Sequence, residues 1–245
     1  MPSQPVTRTC FRALSGNALK LIAALSMTID HAGLLLWPQA ILPRILGRLA
    51  FPIFAFMIAE GCRYTKNRLR YFLTIAALAV GCQVVYYLFD RTLYMSILVT
   101  FSLSILAIYA LQLVQRLMRD PQSRILHCVA AQCLLALTVA GIWLLTRVVQ
   151  IDYGFWGCMT PVLVSLFQTP AGEPPVSVGV QTACLALGLT ALGLVYGSIQ
   201  WCGLAACPLL LCYSGLRGRW RMKYFFYIFY PAHLAVLQGI AMLLG

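Results

Sequence analysis

Long apolar runs separated by short polar segments dominate the chain from residue 19 to its end. A helix needs about 20 apolar residues to cross the hydrocarbon core of a bilayer. Nine runs are candidate transmembrane helices: 19–37, 49–62, 71–89, 94–115, 126–146, 153–168, 176–196, 200–215 and 224–244. The second, sixth and eighth are short, which is compatible with a tilted or re-entrant segment. The pattern predicts an all-α, polytopic transmembrane helical bundle of about nine spans.

Proline and glycine mark the joints between these runs, at Pro38, Pro43, Pro121 and the segment 169–175. No internal repeat or long linker divides the chain, so residues 1–245 are predicted to form a single domain. We expect residues 1–18 to be a cytoplasmic segment and not a signal peptide. The apolar run that follows them contains Asp30 and His31, and no small-residue cleavage site comes after it.

The composition supports a membrane protein, because 61% of the 245 residues are hydrophobic and only 10% are charged. Soluble chains carry about 25% charged residues, so a soluble enzyme, a disordered chain and a secreted disulfide scaffold are excluded. Most of the ten cysteines lie inside apolar runs, and none forms a CxxC pair. We interpret them as small packing residues, and we predict neither disulfides nor a metal site.

The charge of the chain is strongly positive, with 18 Lys and Arg against 6 Asp and Glu. Basic residues gather in the cytoplasmic loops of membrane proteins, and no nucleic-acid-binding motif is present. Placing the N-terminus inside assigns fourteen basic residues to the cytoplasmic side: Arg8, Arg12, Lys20, Arg63, Lys66, Arg68, Arg70, Arg116, Arg119, Arg124, Arg217, Arg219, Arg221 and Lys223. Four fall outside: Arg44, Arg48, Arg91 and Arg147. This bias predicts an N-in orientation and, for an odd number of spans, a C-terminus outside.

Four ionisable residues within the predicted spans are candidates for a function, namely Asp30, His31, Glu60 and His233. Such groups cost a few kcal/mol or more in the membrane and usually have a function. His31 follows Lys20 by 11 residues, which is a rise of roughly 16 Å along a helix. His233 lies roughly 14 Å into its own span from the same side. The sequence therefore predicts the two histidines at a similar depth near the membrane midplane.

The first span carries a cation and a histidine on one face, because Lys20, Ala24, Met27 and His31 follow a helical stripe. Asp30 points about 100° away from His31, so we expect it to orient a neighbouring His or Arg. In the last span, Tyr230 shares part of the face of His233. Pro231 loosens that helix, and backbone groups freed in this way are tolerated where they line a cavity.

Structural roles are the alternative for each of these residues. An intramembrane histidine is often only a hydrogen-bond partner between helices. Glu60 could pair with Arg63 near the interface, and the loop cations could serve only to set the topology. The Gly193-x-x-x-Gly197 pattern is typical of helix packing.

Three segments resemble the TraX family, the bacterial membrane proteins named after the conjugation protein that N-acetylates pilin. They read LKLIAALSMTIDHAGLLL at 19–36, GRLAFPIFAFMIAEGCRYTKNRLRYFL at 47–73 and KYFFYIFYPAHL at 223–234. The first also resembles the Arg-x10-His pattern of the wider membrane acyltransferase superfamily, with Lys20 in place of the arginine. Lysine supplies a point charge where an arginine would offer a bidentate fork.

The resemblance implies a bacterial inner-membrane acyltransferase that uses acetyl-CoA as its donor, with His31 as the catalytic residue. Asp30, Arg48, Glu60 and the His233 segment fall within the matching motifs. The phosphates of coenzyme A need cations where the donor enters. The candidates for this role are Lys20, Arg63, Arg70, Arg219, Arg221 and Lys223, with Lys66, Arg68 and Arg217 on the same face.

The chemistry of the residues agrees with acyl transfer, because a neutral histidine is a suitable base near pH 7. Tyr230, or backbone freed at Pro231, could donate to the oxyanion. Direct transfer and an acetyl-histidine intermediate both remain open. The acceptor could be a pilin-like N-terminus, a glycan or a lipid headgroup.

Two other classes of function also fit the sequence. One is a proton-coupled transporter or flippase in which Asp30, His31 and His233 form a relay. The other is a non-catalytic assembly factor for surface appendages.

Overall fold

The computed structural model of the protein describes residues 13–219 and 222–244, without the side chains of residues 89, 90, 223, 224 and 244. Arg8, Arg12 and Arg221 therefore lie outside the described residues, as does the side chain of Lys223. The fold of the described part is all-α and contains no strand. The nine cysteines in this part are free, and Cys62, Cys82, Cys158 and Cys184 are buried.

The helices follow one another with short connections. They are α1 (Gly16–Leu36), α2 (Ile41–Gly47), α3 (Ala50–Tyr64), α4 (Arg68–Asp90), α5 (Ile97–Arg119), α6 (Ile125–Val148), α7 (Gly154–Ser165), α8 (Val178–Tyr196), a 3-10 helix (Ser198–Ala205), α9 (Ala206–Leu211) and α10 (Lys223–Leu244). Three of the long helices have a side-chain N-cap. Ser15, Asn67 and Ser177 accept hydrogen bonds from the backbone N–H groups of the first turns of α1, α4 and α8.

Seven helical segments in the described part of the chain are long and apolar enough to cross a membrane. All nine predicted runs contain helix, but the count of nine spans is not confirmed. The sixth run contains α7, whose 12 residues rise only about 18 Å. The eighth contains the 3-10 helix and α9, which together form a second short apolar segment. The predicted N-in/C-out orientation stays a prediction.

The second span is longer than predicted and is interrupted. It extends over Ile41–Tyr64 and contains both α2 and α3. The prediction that Arg44 and Arg48 are charges of an outer loop is therefore wrong. Arg44 lies inside α2, and Arg48 lies at the break between α2 and α3. Pro43 did not end the helix, because the first turn of a helix tolerates proline.

α3 and α5 form the centre of the bundle. Twelve of the 15 residues of α3 are buried, and 61% of the apolar window of α5 is buried against 11% for α6. The main core joins side chains of these two helices with residues from α1, α4, α8 and α10. α10, the last helix, packs against α1 and α4. The first and last helices of the chain are therefore neighbours.

The start of α1 is tied to the segment before α10. The backbone N–H of Leu14 donates to Cys212, and that of Gly16 donates to Leu216, at 3.0 Å and 2.8 Å. These bonds place Lys20 close to the 213–219 segment at one end of the bundle. Lys20 and Arg217 at this end also line the cavity described below.

Candidate functional site

His31 and His233 are in direct contact. The Nδ1 atom of His31 lies 2.8 Å from the Nε2 atom of His233, and the ring centroids are 5.1 Å apart. His31 belongs to α1 and His233 to α10, so the pair joins the first and last helices. This contact agrees with the predicted similar depth of the two residues.

The hydrogen bonds of His233 define the proton positions in the neutral pair. Its Nδ1 atom lies 3.1 Å from the carbonyl oxygen of Phe229, which can only accept, so this Nδ1 carries the hydrogen. The Nε2 atom of neutral His233 is then an acceptor. The Nδ1 of His31 must therefore donate to it, and the Nε2 of His31 holds the unshared electron pair. The pair presents one basic nitrogen, on His31.

Aromatic rings hold the His233 side chain in place. The ring of Phe229 stacks on it at 5.2 Å with an interplanar angle of 9°. Tyr230, predicted as an oxyanion donor, packs edge-on against it at 5.4 Å. Pro231 lies inside α10 and cannot donate a hydrogen bond to the preceding turn. These contacts restrict the imidazole to one orientation.

Asp30 contacts two arginines. Its carboxylate accepts from Nη1 of Arg44 at 2.9 Å and from Nη2 of Arg48 at 3.0 and 3.1 Å. Arg48 is only 7% exposed and also donates to the hydroxyl of Tyr153 at 3.2 Å. The expectation that Asp30 orients a neighbouring arginine agrees with this geometry. The network fixes α2 against the turn of α1 that carries His31.

Tyr153 and Asp152 complete this network, and sequence reasoning missed both. Tyr153 has a positive φ of 58° and stacks on Phe51 at 4.3 Å. The carboxylate of Asp152 accepts from the hydroxyl of Tyr94 at 3.0 Å. Burial raises the pKa of Asp152 to about 6. The available signal was the position of Asp152 in a short connection between two apolar runs.

A cavity lies among α1, α3, α4, α5 and α10 and contains about 950 Å³ of empty space, part of it open to the outside. Asn17, Lys20 and Arg217 line it at the end where α1 begins. The rest of its wall is apolar or aromatic. Three members of the predicted stripe on α1 line this cavity, namely Lys20, Ala24 and Met27.

The fourth member of the stripe, His31, lies just beyond the cavity wall. Phe229 and Tyr230 line the cavity, and their rings also contact His233. Met27, one helical turn before His31, is part of the same wall. The histidine pair therefore lies behind the inner part of the cavity.

The remaining predicted cation sites do not all meet at the cavity. Arg70 and Arg219 are exposed and do not line it. Arg63 is buried and donates to the carbonyl oxygens of Thr169 at 2.8 Å and Glu173 at 3.0 Å. It fixes the loop between α7 and α8, so its guanidinium is not turned to the cavity. The Nζ atom of Lys20 lies 6.0 Å from the ring centroid of Phe226.

Glu60 lies in a separate buried polar cluster. The hydroxyl of Tyr213 and the Nε2 atom of Gln168 each donate to its carboxylate at 3.4 Å. Among the side chains that the structure describes, Glu60 forms no ion pair with Arg63 within 4 Å. The alternative that Glu60 pairs directly with Arg63 is therefore wrong. Arg63 is instead engaged by the 169–173 loop.

Comparison with known proteins identifies the family. The TraX protein family profile matches residues 15–241. A short segment is 50% identical over 40 residues to an uncharacterized protein of Rickettsia prowazekii (strain Madrid E). That match covers 16% of this chain and 16% of the relative, so the chain matches far less than two thirds of the relative's length. No solved structure matches. On the near-complete family match, the chain belongs to the TraX family.

Proposed function

We propose that this chain is a membrane-embedded acyltransferase that moves an acetyl group from acetyl-CoA to an amine or hydroxyl acceptor. The observation that carries the proposal is the His31–His233 pair beside a cavity whose lining includes Lys20 and Arg217. The conjugation- and pilin-related family makes a pilin-like N-terminus the first acceptor to test. A glycan hydroxyl and a lipid headgroup are the other acceptor classes.

In the proposed reaction, the Nε2 atom of His31 removes the proton of the acceptor as that acceptor attacks the thioester carbonyl. The new acceptor–acyl bond forms, the carbon–sulfur bond breaks, and the proton passes from His31 to the coenzyme A thiolate. His233 supports this step because its Nε2 accepts from Nδ1 of His31 and stabilises the imidazolium. An alternative path first forms an acetyl group on Nε2 of His31.

The cavity supplies a route for the donor. Lys20 and Arg217 at its mouth suit the phosphates of coenzyme A. The rise of roughly 16 Å from Lys20 to His31 is comparable to the reach of an extended pantetheine arm. Met27 lies between them on the same stripe, so the thioester would approach His31 past this side chain.

A reconstituted assay with radiolabelled acetyl-CoA tests the proposal. Purified protein in liposomes is incubated with the donor and with a peptide amine, a glycan or an aminophospholipid. We expect His31→Ala to lower the rate by about 10²–10⁴-fold, the usual contribution of a general base. The control is His127→Ala, because His127 is exposed on α6 and distant from α1 in sequence. Wild-type turnover of His31→Ala would refute the catalytic assignment.

Two further variants separate the roles within the site. His233→Ala should lower the rate about 10–100-fold, less than His31→Ala, because it removes only the group that orients the base. Lys20→Gln should raise the KM for acetyl-CoA far more than the KM for the acceptor. Label on purified protein without acceptor would favour the covalent path, and its absence would favour direct transfer.

The transporter alternative receives less support from the geometry. A relay through Asp30, His31 and His233 needs Asp30 to exchange protons with His31. The carboxylate of Asp30 is instead engaged by Arg44 and Arg48. Proton flux into liposomes that is lost in His31→Ala, in His233→Ala and in Asp30→Asn alike would reverse this preference.

A further inference from the structure

The wall of the cavity farthest from its cations is a stack of three aromatic rings. Phe101 lines the cavity and is only 3% exposed. Its ring stacks on Phe51 at 6.1 Å, and Phe51 stacks on Tyr153 at 4.3 Å. Leu98, one turn before Phe101 on α5, lines the same end. The end wall is therefore three rings deep.

This stack is anchored in the polar network beside His31. Phe101 belongs to α5, Phe51 to α3 and Tyr153 to the turn before α7. The stack therefore joins three elements of the fold. The hydroxyl of Tyr153 accepts from Arg48, which is paired with Asp30. Packed interiors resist the displacement of one side chain without its neighbours. The position of Phe101 is thereby fixed relative to the helix turn that carries Asp30 and His31.

We propose that Phe101 sets the length of the acyl group that the enzyme accepts and restricts it to short chains. This inference rests on the proposed acyl transfer. A donor whose phosphates lie at Lys20 and Arg217 directs its acyl end away from them, towards Leu98 and Phe101. The wall there is apolar, so it suits an uncharged alkyl group, and the ring of Phe101 occupies the space that further methylene groups would need.

Substrate chain length tests this role directly. The ratio of kcat/KM for butyryl-CoA to that for acetyl-CoA is measured in the wild type, Phe101→Leu and Phe101→Ala. One methylene in an apolar pocket changes specificity by about 10–200-fold. We expect the ratio to rise at least about tenfold in Phe101→Ala and by a smaller factor in Phe101→Leu. A merely structural role would lower both kcat/KM values together and leave their ratio unchanged.

The matched control is Leu106→Ala, on the same helix. Leu106 is 41% exposed and lines an outer groove between α4 and α5, so its truncation should leave the ratio at the wild-type value. If Phe101→Ala fails to fold, Phe101→Leu decides the outcome. Wild-type acetyl transfer with an unchanged ratio in the folded Phe101 variants would overturn the inference but leave the proposed function standing. Absence of transfer from every acyl-CoA in the wild type would overturn both.

Discussion

At the residue scale, Asp30 and His31 are adjacent in the chain, yet their side chains contact different neighbours. His31 meets a second imidazole, whereas Asp30 meets two guanidinium groups. A carboxylate in a membrane helix needs such partners, because an isolated buried charge is costly. The division leaves His31 for the proposed proton transfer, while Asp30 holds α1 and α2 together.

The Asp30 network should contribute strongly to stability. Asp30→Asn leaves the buried guanidinium of Arg48 and the half-buried one of Arg44 without a carboxylate partner, so we expect a loss of about 3–5 kcal/mol of unfolding free energy. Thermal unfolding in detergent micelles measures this loss. The control is Glu173→Gln, which removes an exposed ion pair with Arg119 at 3.7 Å and should cost about 1 kcal/mol or less. Equal losses for the two variants would contradict the assigned role.

Asp152 predicts a pH dependence of stability. Its folded-state pKa is raised by burial to about 6, above the value of about 3.9 for an unfolded chain. Between these values the folded state binds the proton more tightly, so its stability falls as the pH rises from about 4 to 6. Unfolding temperatures across this range should fall in the wild type, and Asp152→Asn should remove the contribution of this group. If the unfolding temperature changed equally with pH in the wild type and in Asp152→Asn, the assigned contribution of Asp152 would be refuted.

The ionisable residues show what the sequence could predict about the site. The similar depth of His31 and His233 could be predicted from the helical rise per residue, because basic residues mark the start of both spans. Arg44 and Arg48 were misplaced, since the predicted span began at residue 49 and left them in a loop. Their four-residue spacing, together with the need of Asp30 for a partner, was the signal that could have corrected this. Tyr153 could not be found, because its role depends on contacts between distant segments.

At the element scale, α1 and α2 approach closely through two glycines. A Cβ atom at Gly33 would collide with Pro43, and one at Gly47 would collide with the side chain of Asp30. The short polar break between α2 and α3 therefore fits against α1 only with these small residues. The predicted runs identified every long helix, but α2 was missed because Pro38 and Pro43 were interpreted as loop residues.

Gly47→Ala should disturb the site through this contact. The added methyl group pushes Asp30 away from Arg48, so we expect lower unfolding temperature and lower acetyl transfer. The control is Gly81→Ala in α4, where a Cβ atom meets nothing within 4 Å. That substitution should be neutral or stabilise the helix by up to about 1 kcal/mol. Melting curves and the acetyl-transfer rate of both variants check the prediction, and similar effects of the two would contradict it.

At the scale of the whole molecule, basic side chains gather at the end of the bundle where Lys20 and Arg217 line the cavity. Lys66, Arg70 and Arg217 are exposed there, and Arg91 lies at the other end of α4. The sequence could predict this asymmetry of positive charge, because the positive-inside tendency depends only on the composition of the loops. The number of crossings could not be predicted in the same way. α7 and the Ser198–Leu211 segment are apolar but shorter than a full span, so their apolar runs alone do not decide whether they cross.

Labelling with a membrane-impermeant maleimide tests the orientation. In a background without native cysteines, Lys66→Cys should react from the cytoplasmic side and Arg91→Cys from the outside. Both native side chains are exposed, so both thiols should be reachable after substitution. Intact cells and inverted vesicles separate the two faces. The reversed labelling pattern would overturn the orientation and the donor route that depends on it.

The histidine pair also has a consequence for the biosynthesis of the protein. Its two residues are 202 positions apart in the chain. Ribosomes add roughly 5–20 residues per second, so roughly 10–40 s separate the synthesis of His31 from that of His233. During this interval the first helix waits in the membrane without the ring that orients its imidazole. The proposed reaction can therefore reach its full rate only after translation has passed His233 in the last helix.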